Sequence, residues 1–339
     1  MRRTQFLSTG FRVPDRVVTN DELAAMMDTS DEWIQQRSGI VERRWVEEGE
    51  AGSDLGCAAA KMALEQAGMD ASELDCIIVA TLSPDHFFPG TGVFLQQKLG
   101  VSEIPCLDVR NQCSGFIYGL SIADAWIRVG QYRRVLLVGT EVHSTGIHTT
   151  NEGRDTAVLF GDGAGAVILG PIERDEGASN GAMDRGLLSV HIHADGNHAK
   201  KLWVDTPGSL YHPLITHEHI DAGRTRPTME GREVFKHAIV RMPEVVNEAL
   251  ESTGHTVDDI DMLIPHQANL RISQMVQRAL GMSDDRVYNN IQRYGNTTAA
   301  SIPIALHECV AEGRLSEGDL LCLTAFGSGF TWASALIRW

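Results

Sequence analysis

Short apolar runs alternate along the chain with longer stretches of helical period, which predicts helices and buried strands in alternation. The segment "ALEQAGMDASELDCIIVATLS", beginning at Ala63, reads as a helix ending at a glycine cap, an acidic turn and an apolar strand. "ALESTGHTVDDIDMLIPHQAN", beginning at Ala249, repeats that order. Ala63, Leu64, Glu65, Gly68 and Asp75 align with Ala249, Leu250, Glu251, Gly254 and Asp261 at one offset without gaps. A second pair follows in the same order. "SIADAWIRVGQYRRVLLVGTE" from Ser121 and "SIPIALHECVAEGRLSEGDLLCLTAFG" from Ser301 both read as helix, polar turn and buried strand. One matched pair arises easily by chance, but two in register argue for an internal duplication. The pattern predicts two homologous α/β halves, 1–175 and 176–339, divided near 171–185 in the loop-like "PIERDEGASNGAMDRG".

The length of 339 residues suits two such halves sharing an interface, and 43% hydrophobic with 22% charged residues is ordinary globular composition. The opening "MRRTQFLSTG" has two arginines but no apolar core, so no signal peptide is expected. No run approaches the ~18 apolar residues that span a bilayer. Cys57, Cys76, Cys106, Cys113, Cys309 and Cys322 are scattered without C-x-x-C spacing, which argues against zinc and against a disulfide framework. A reducing cytoplasm is the expected compartment. A net charge of -16 disfavours nonspecific nucleic-acid binding, and any acidic partner needs a local basic patch.

Within this frame "DVRNQCSGFIYGL" (108–120) stands out, because Cys113 lies where a strand-like segment, 104–109, turns into an apolar helix with Phe116, Ile117, Leu120 and Ile122. A buried structural cysteine is one reading. A nucleophile is the other, since a helix N-terminus lowers a thiol's pKa. The duplication places chemistry around it. Cys113 precedes the helix expected to start near Ser121, and the equivalent loop in the other half, "RYGNTTAAS", carries Asn296. His266 ends the repeated strand "DMLIPHQ". Halves packed about a pseudo-twofold axis bring these loop ends together, as at strand ends of other α/β sheets. "GDGAG" (161–165) invites a phosphate-loop reading, but "TAVLF" and "AVILG" read as strands on both sides and no helix opens after it. Close backbone packing is the better account. "HIH" (191–193) and "HEH" (217–219) lack companions at ligand spacing, so no metal is expected.

Nearly end to end, the chain resembles the β-ketoacyl-acyl-carrier-protein synthase III family. The likeness rests on "DTSDEWIQQRSGI" (28–40), the Cys113 stretch, "GRDTAVLFGDGAGAVIL" (153–169), "HIHADG" (191–196), "MEGREVFKHA" (229–238), "PHQANLRI" (265–272), "YGNTTAASIP" (294–303) and "AFGSGFTWASALIRW" (325–339). The resemblance implies a thiolase-like αβαβα layered α/β fold of two duplicated halves. It implies a condensing enzyme that joins an acyl-CoA primer to malonyl-acyl-carrier protein, working as a cytoplasmic homodimer without a cofactor, a metal, a membrane or a nucleic acid. In that reading Cys113 is the nucleophile. His266 and Asn296 are neutral donors to the enolate left by malonyl decarboxylation, and the backbone N–H groups of Cys113 and Ser328 form the oxyanion hole. Alone, His266 also reads as a core histidine, and Asn296 after Gly295 as ordinary turn chemistry.

The same resemblance assigns CoA binding to Trp33, Arg37 and Arg154, with Trp33 and Arg154 on either side of the adenine. Gly231, Phe235, Ala268 and Asn269 follow as tunnel residues. A base between indole and guanidinium is physically sensible, although Trp33 also fits an ordinary amphipathic helix. Phe88, His143, Phe160, Met229 and Phe326 are implied at the primer pocket, Phe88 from the partner subunit. Lys236, Arg271 and Arg278 are implied as the docking patch for the carrier protein.

Departures bear on the primer. Gln112 and Ser114 flank the cysteine where small apolar residues are common, Ser328 replaces a frequent glycine, and His143 replaces an aliphatic residue. Two residues are inserted before Arg154, and the 197–228 segment is roughly nine residues longer than in the simplest members. The rival readings are a related condensing enzyme of a specialised polyketide, quinolone or other acyl-chain pathway, a cysteine hydrolase using Cys113 and His266, and a non-catalytic carrier-binding module. A hydrolase more often orients its histidine with a carboxylate.

Overall fold

In the computed structural model, which describes residues 2–172 and 185–339, the apolar runs of the first half form a five-stranded sheet. Its strands are β1 (Arg3–Arg12), β2 (Cys76–Ala80), β3 (Cys106–Val109), β4 (Val135–Glu141) and β5 (Gly163–Ile172), in the order β1-β5-β4-β2-β3. The second half forms a four-stranded sheet from β6 (Gly186–Ala194), β7 (Met262–Pro265), β8 (Leu320–Gly327) and β9 (Thr331–Arg338), in the order β6-β9-β8-β7. These are one topology. In both, the first strand pairs antiparallel with the last, the last antiparallel with the one before it, and that one parallel with the second. Where β2 carries β3, β7 carries a single parallel bridge from Leu263 to Val287. The expected boundary at 175/176 lies outside the described residues.

The aligned residues do equivalent work. Gly68 and Gly254 end their helices at φ +63° and +73°, a conformation that costs glycine little. The Asp75 carboxylate accepts from the N–H groups of Arg133 and Arg134, and the Asp261 carboxylate accepts from Leu320 N–H. Each aspartate thus ties the start of one strand to the start of its neighbour.

Seven helices complete the framework used below: α1 (Asp31–Ser38), α2 (Gly52–Ala67), α3 (Thr91–Leu99), α4 (Gly115–Val129), α5 (Gly231–Thr253), α6 (Leu270–Leu280) and α7 (Ser301–Ala311). Side-chain alternation sorts them into layers. Ile77 and Val79 of β2 pack outward with Leu55, Ala59 and Leu95 of α2 and α3, while Ile78 packs inward with Phe116, Ile117 and Leu120 of α4. Leu263 and Cys322 face α5 and α6, whereas Ile264 and Leu323 face the central helices. The order is therefore helix, sheet, central helices α4 and α7, sheet, helix. Both sheets are covered on both faces, which is why their strands read as continuous apolar runs. Each large apolar side chain in the central layer contributes about 1.5–3 kcal/mol by its burial.

The halves meet through glycines. A Cβ on Gly139 of β4 would lie 2.3 Å from the Ala299 carbonyl oxygen, and one on Gly165 of β5 would lie 2.7 Å from Ile304 N. Side chains there would hold α7 and the turn before it off the first sheet. "GDGAG" is accordingly a packing element that leads into β5. Two local expectations are corrected. "TAVLF" is not a strand: Arg154–Ala157 is a short helix, and Ala157 and Val158 are apolar because they fill a side core with Ile34 and Ile40. The helix after the cysteine starts at Gly115, not near Ser121, so it lies closer to the thiol than the repeat suggested.

Candidate active site

Three loop ends reach one cavity of about 1430 Å³ whose wall includes Cys113, His266 and Asn296. Cys113 lies in the 3-10 turn Gln112–Ser114 between β3 and α4, with Gln112 at φ +45°. The thiol accepts hydrogen bonds from its own backbone N–H and from that of Ser328. That approach requires Gly327, where a Cβ would fall 2.9 Å from the Cys113 Cβ. Burial, and then the nearby Glu141 carboxylate, push the thiol up to about 12, against the two N–H groups. The lowered pKa expected from the helix end alone is thus outweighed, and the resting thiol is protonated.

His266 follows β7 and is buried. Its Nδ1 lies 2.7 Å from the Ser301 hydroxyl, which also accepts from Gln267 N–H at 3.4 Å. When the Ser301 hydroxyl donates to Nδ1, the hydrogen of the ring sits on Nε2. That Nε2 is buried and meets no hydrogen-bond partner among the described residues. Burial pushes the imidazole down to about 3, so it is neutral at working pH. A hydroxyl partner, unlike a carboxylate, does little to make the ring a base, so the arrangement suits donation from Nε2.

Asn296 presents a second neutral donor. Its Oδ1 accepts from Thr298 N–H at 2.9 Å, which leaves the Nδ2 end to donate. Its main chain is fixed to the 159–161 segment, with Asn296 N–H on Leu159 O and Gly161 N–H on Asn296 O.

Glu141, at the end of β4, did not stand out in the sequence. Its fully buried carboxylate accepts from Thr81 Oγ1, the N–H groups of Leu82 and Ser83, Ser83 Oγ and Ala299 N–H. Burial raises it to about 7 against those bonds. It joins the 81–83 loop to the turn that follows Asn296. The only available signal was a carboxylate directly after an apolar strand.

Toward the outside the cavity is lined by Trp33, Arg37, Gly231, Phe235, Ala268 and Asn269. The Asn269 side chain is already used: Oδ1 caps α6 at Arg271 N–H, and Nδ2 donates to the Arg37 carbonyl. Arg154 does not line the cavity but stacks on Trp33 at 4.8 Å, with Arg37 at 4.4 Å from the same ring. The Trp33 indole is thus already in cation–π contact with two guanidinium groups.

Toward the inside lie His143, Phe160, Met229 and Phe326. Phe88 is 80% exposed and outside the cavity of the single chain, beside Phe87, which is 62% exposed. The 197–228 segment contributes Leu202, Trp203, Val204, Pro207, Thr225 and Pro227 to the wall. A small hairpin pairs Leu202–Trp203 with Thr228–Met229, and the Ser328 hydroxyl donates to the Leu202 carbonyl. Arg271 lines the cavity, whereas Lys236 and Arg278 lie on exposed positions of α5 and α6 and do not line it.

Comparison with known proteins agrees with this architecture. Residues 107–196 match the family described as 3-oxoacyl-[acyl-carrier-protein (ACP)] synthase III, and residues 250–339 match its C-terminal counterpart. The chain is 46% identical over 336 residues to the β-ketoacyl-[acyl-carrier-protein] synthase III of Paramagnetospirillum magneticum, covering 99% of both chains. The crystal structure of 3-oxoacyl-[acyl-carrier-protein] synthase III from Aquifex aeolicus superimposes with a TM-score of 0.88 at 40% identity, covering 99% of this chain and 100% of that one. A priming β-ketosynthase from a polyketide biosynthetic pathway gives a TM-score of 0.87 at 32% identity, covering 99% and 96%.

Proposed function

The chain belongs to the 3-oxoacyl-acyl-carrier-protein synthase III family, and from that membership and its site we propose the following route for its reaction. It is a condensing acyltransferase that joins an acyl-CoA primer to malonyl-acyl-carrier protein and so initiates fatty-acid synthesis. The Cys113 sulfur attacks the thioester carbonyl of the primer, and the N–H groups of Cys113 and Ser328 hold the resulting oxyanion. The carbon–sulfur bond to CoA breaks, and CoA leaves as its thiol with the proton that Cys113 gives up. In the second half the malonyl carboxylate leaves as CO2, and the electron pair of that bond becomes an enolate. His266 Nε2–H and Asn296 Nδ2–H donate to the enolate oxygen. The enolate carbon then attacks the acyl group on Cys113, the carbon–sulfur bond to the cysteine breaks, and the β-ketoacyl product leaves while the Cys113 thiolate takes a proton from water. No redox step or Lewis acid enters, so the route uses no cofactor.

The observation that carries this reading is the buried Nε2 of a neutral His266, without a partner among the described residues, in the cavity that holds the Cys113 thiol. Residues 1–175 and 176–339 are taken as the two halves, on the repeated strand order. The exposed rings of Phe87 and Phe88 favour a homodimer that covers them and delivers Phe88 to the partner's pocket. Trp33, Arg37 and Arg154 are assigned to the CoA nucleotide, with Gly231, Phe235, Ala268 and Asn269 along the pantetheine arm. The reducing cytoplasm is the proposed compartment, consistent with a free, buried Cys113.

Lys236, Arg271 and Arg278 are proposed to receive the acidic carrier protein against the net charge of -16. Charge reversal tests this. Arg271→Glu and Arg278→Glu are expected to raise the KM for malonyl-carrier protein several-fold more than that for acyl-CoA. The difference should shrink with added salt, because steering is screened over ~8 Å at physiological strength. Equal effects on both substrates would argue against the patch. Arg278 is the cleaner probe because it does not line the cavity.

The pocket departures favour a primer longer than acetyl, and with it the second reading, a condensing enzyme of a specialised acyl-chain pathway. His143 replaces an aliphatic wall residue, and the 197–228 segment supplies six wall residues. Each methylene accommodated contributes ~0.8 kcal/mol, or about fourfold in rate constant where the gain is realised in the transition state. Acylation of Cys113 by CoA thioesters of two to twelve carbons is expected to keep rising into the medium-chain range. A maximum at two carbons with steep loss by six would assign the enzyme to the simplest initiating role.

A further inference from the structure

His143 borders the primer cavity, yet its ring is bonded toward the loop that carries Asn296. Its backbone N–H donates to the Asp162 carboxylate at 2.6 Å, and its ring packs against Phe160 with centroids 4.8 Å apart. From that anchored position Nε2 lies 2.5 Å from Thr298 Oγ1, across 155 residues of sequence. Burial pushes the ring down to about 4, so it is neutral and has one N–H to give. The Thr298 hydroxyl favours the charged form of the nearby Glu141 carboxylate, which draws the hydroxyl proton toward it. The Thr298 oxygen therefore accepts from His143 Nε2–H.

Thr298 is an unusual place to spend such a bond. It is a β-branched residue at φ +44°, a region such residues rarely occupy. Its backbone N–H is the group that holds Asn296 Oδ1 at 2.9 Å. An aliphatic side chain at 143 would fill the same wall but leave the Thr298 hydroxyl with one fixed partner fewer. The Cys113 thiol and the Ser328 N–H are held by other contacts, through Gly327 and the start of α4.

We propose that His143 is a positioning residue for the condensation half of the reaction, fixing through Thr298 the plane in which Asn296 presents its amide to the enolate oxygen. The inference rests on the role given to Asn296 above. It predicts a split between the half-reactions, because acyl transfer to Cys113 does not use Asn296.

The test compares His143→Leu, His143→Gln, Thr298→Val and Asn296→Ala in the full chain. Acylation is followed by intact mass after mixing with acyl-CoA, and decarboxylation by CO2 release from malonyl-carrier protein. His143→Leu should release CO2 about tenfold or more slowly, as for a misplaced catalytic group, a loss several-fold larger than any change in acylation that its place on the primer wall brings. His143→Gln, which returns an N–H at similar reach, should recover most of that loss. Thr298→Val should reproduce the loss, and the double variant with His143→Leu should add little to it. The proposal is overturned by unchanged CO2 release in His143→Leu, by equal slowing of both half-reactions, or by failure of the glutamine to restore. If His143→Leu does not fold, Thr298→Val decides by the same split. Asn296→Ala with undiminished CO2 release would instead refute the role given to Asn296 itself.

Discussion

Alanine at Cys113 is expected to abolish the covalent acyl adduct and to lower condensation by at least about 10³-fold, while the protein stays folded. The hydroxyl next in sequence does not substitute for the thiol: Ser114 Oγ donates to the Thr331 carbonyl at 3.1 Å. The change removes one sulfur atom from a buried turn, so the stability cost is about 1 kcal/mol. Its signature is asymmetric. His266 and Asn296 remain in place, so the variant should still release CO2 from malonyl-carrier protein without forming a new carbon–carbon bond. Intact mass and CO2 release, measured on one sample, check both halves. An acyl adduct on the alanine variant would refute the nucleophile assignment.

Alanine at His266 or Asn296 should give the mirror image. In the proposed route acyl transfer to Cys113 depends on the N–H groups of Cys113 and Ser328, so the adduct should form at close to the parent rate. Decarboxylation should fall about 10²–10³-fold for either change, the usual loss when one oxyanion donor is removed. The double variant should lose much less than the product of the two, because both donors serve one oxygen. Ser301→Ala should fall between, since it leaves His266 Nδ1 without the bond that sets the tautomer. His266 stays neutral above about pH 3, so these losses should persist unchanged in direction across the working range. Equal loss of adduct and CO2 release in His266→Ala would place the histidine in acyl transfer instead.

Much of this layout is legible in the chain because some positions carry chemistry of their own. Gly68 and Gly254 mark helix ends that need positive φ, and Asp75 and Asp261 each close the start of a strand. Such residues keep their spacing in both copies, so the duplication can be read directly. Cys113, His266 and Asn296 lie in quoted motifs at loop ends, and a duplicated α/β frame brings loop ends together.

What stayed hidden depends on contacts distant in sequence. Glu141 meets Ala299 across 158 residues, and His266 is set by Ser301 across 35. No local pattern announces either partner. The thiol followed its burial and the Glu141 charge over the helix end, and neither is visible in "DVRNQCSGF". "TAVLF" misled because five apolar residues fit a strand and a buried helical turn equally well. That Arg154 lies against the Trp33 ring also depends on a distant contact, Arg154 Nη1 on the Asp28 carbonyl.

The central claim is that one cavity passes an acyl group through Cys113 to a malonyl-derived enolate. A single-turnover chase tests it most directly: acyl-enzyme freed of CoA is mixed with malonyl-carrier protein, and intact mass, CO2 and product are followed together. The adduct is expected to map to Cys113 and to disappear in step with one CO2 released and one β-ketoacyl-carrier product formed. An adduct on another residue, or one that persists while CO2 is released or leaves as the free acid, would contradict the claim.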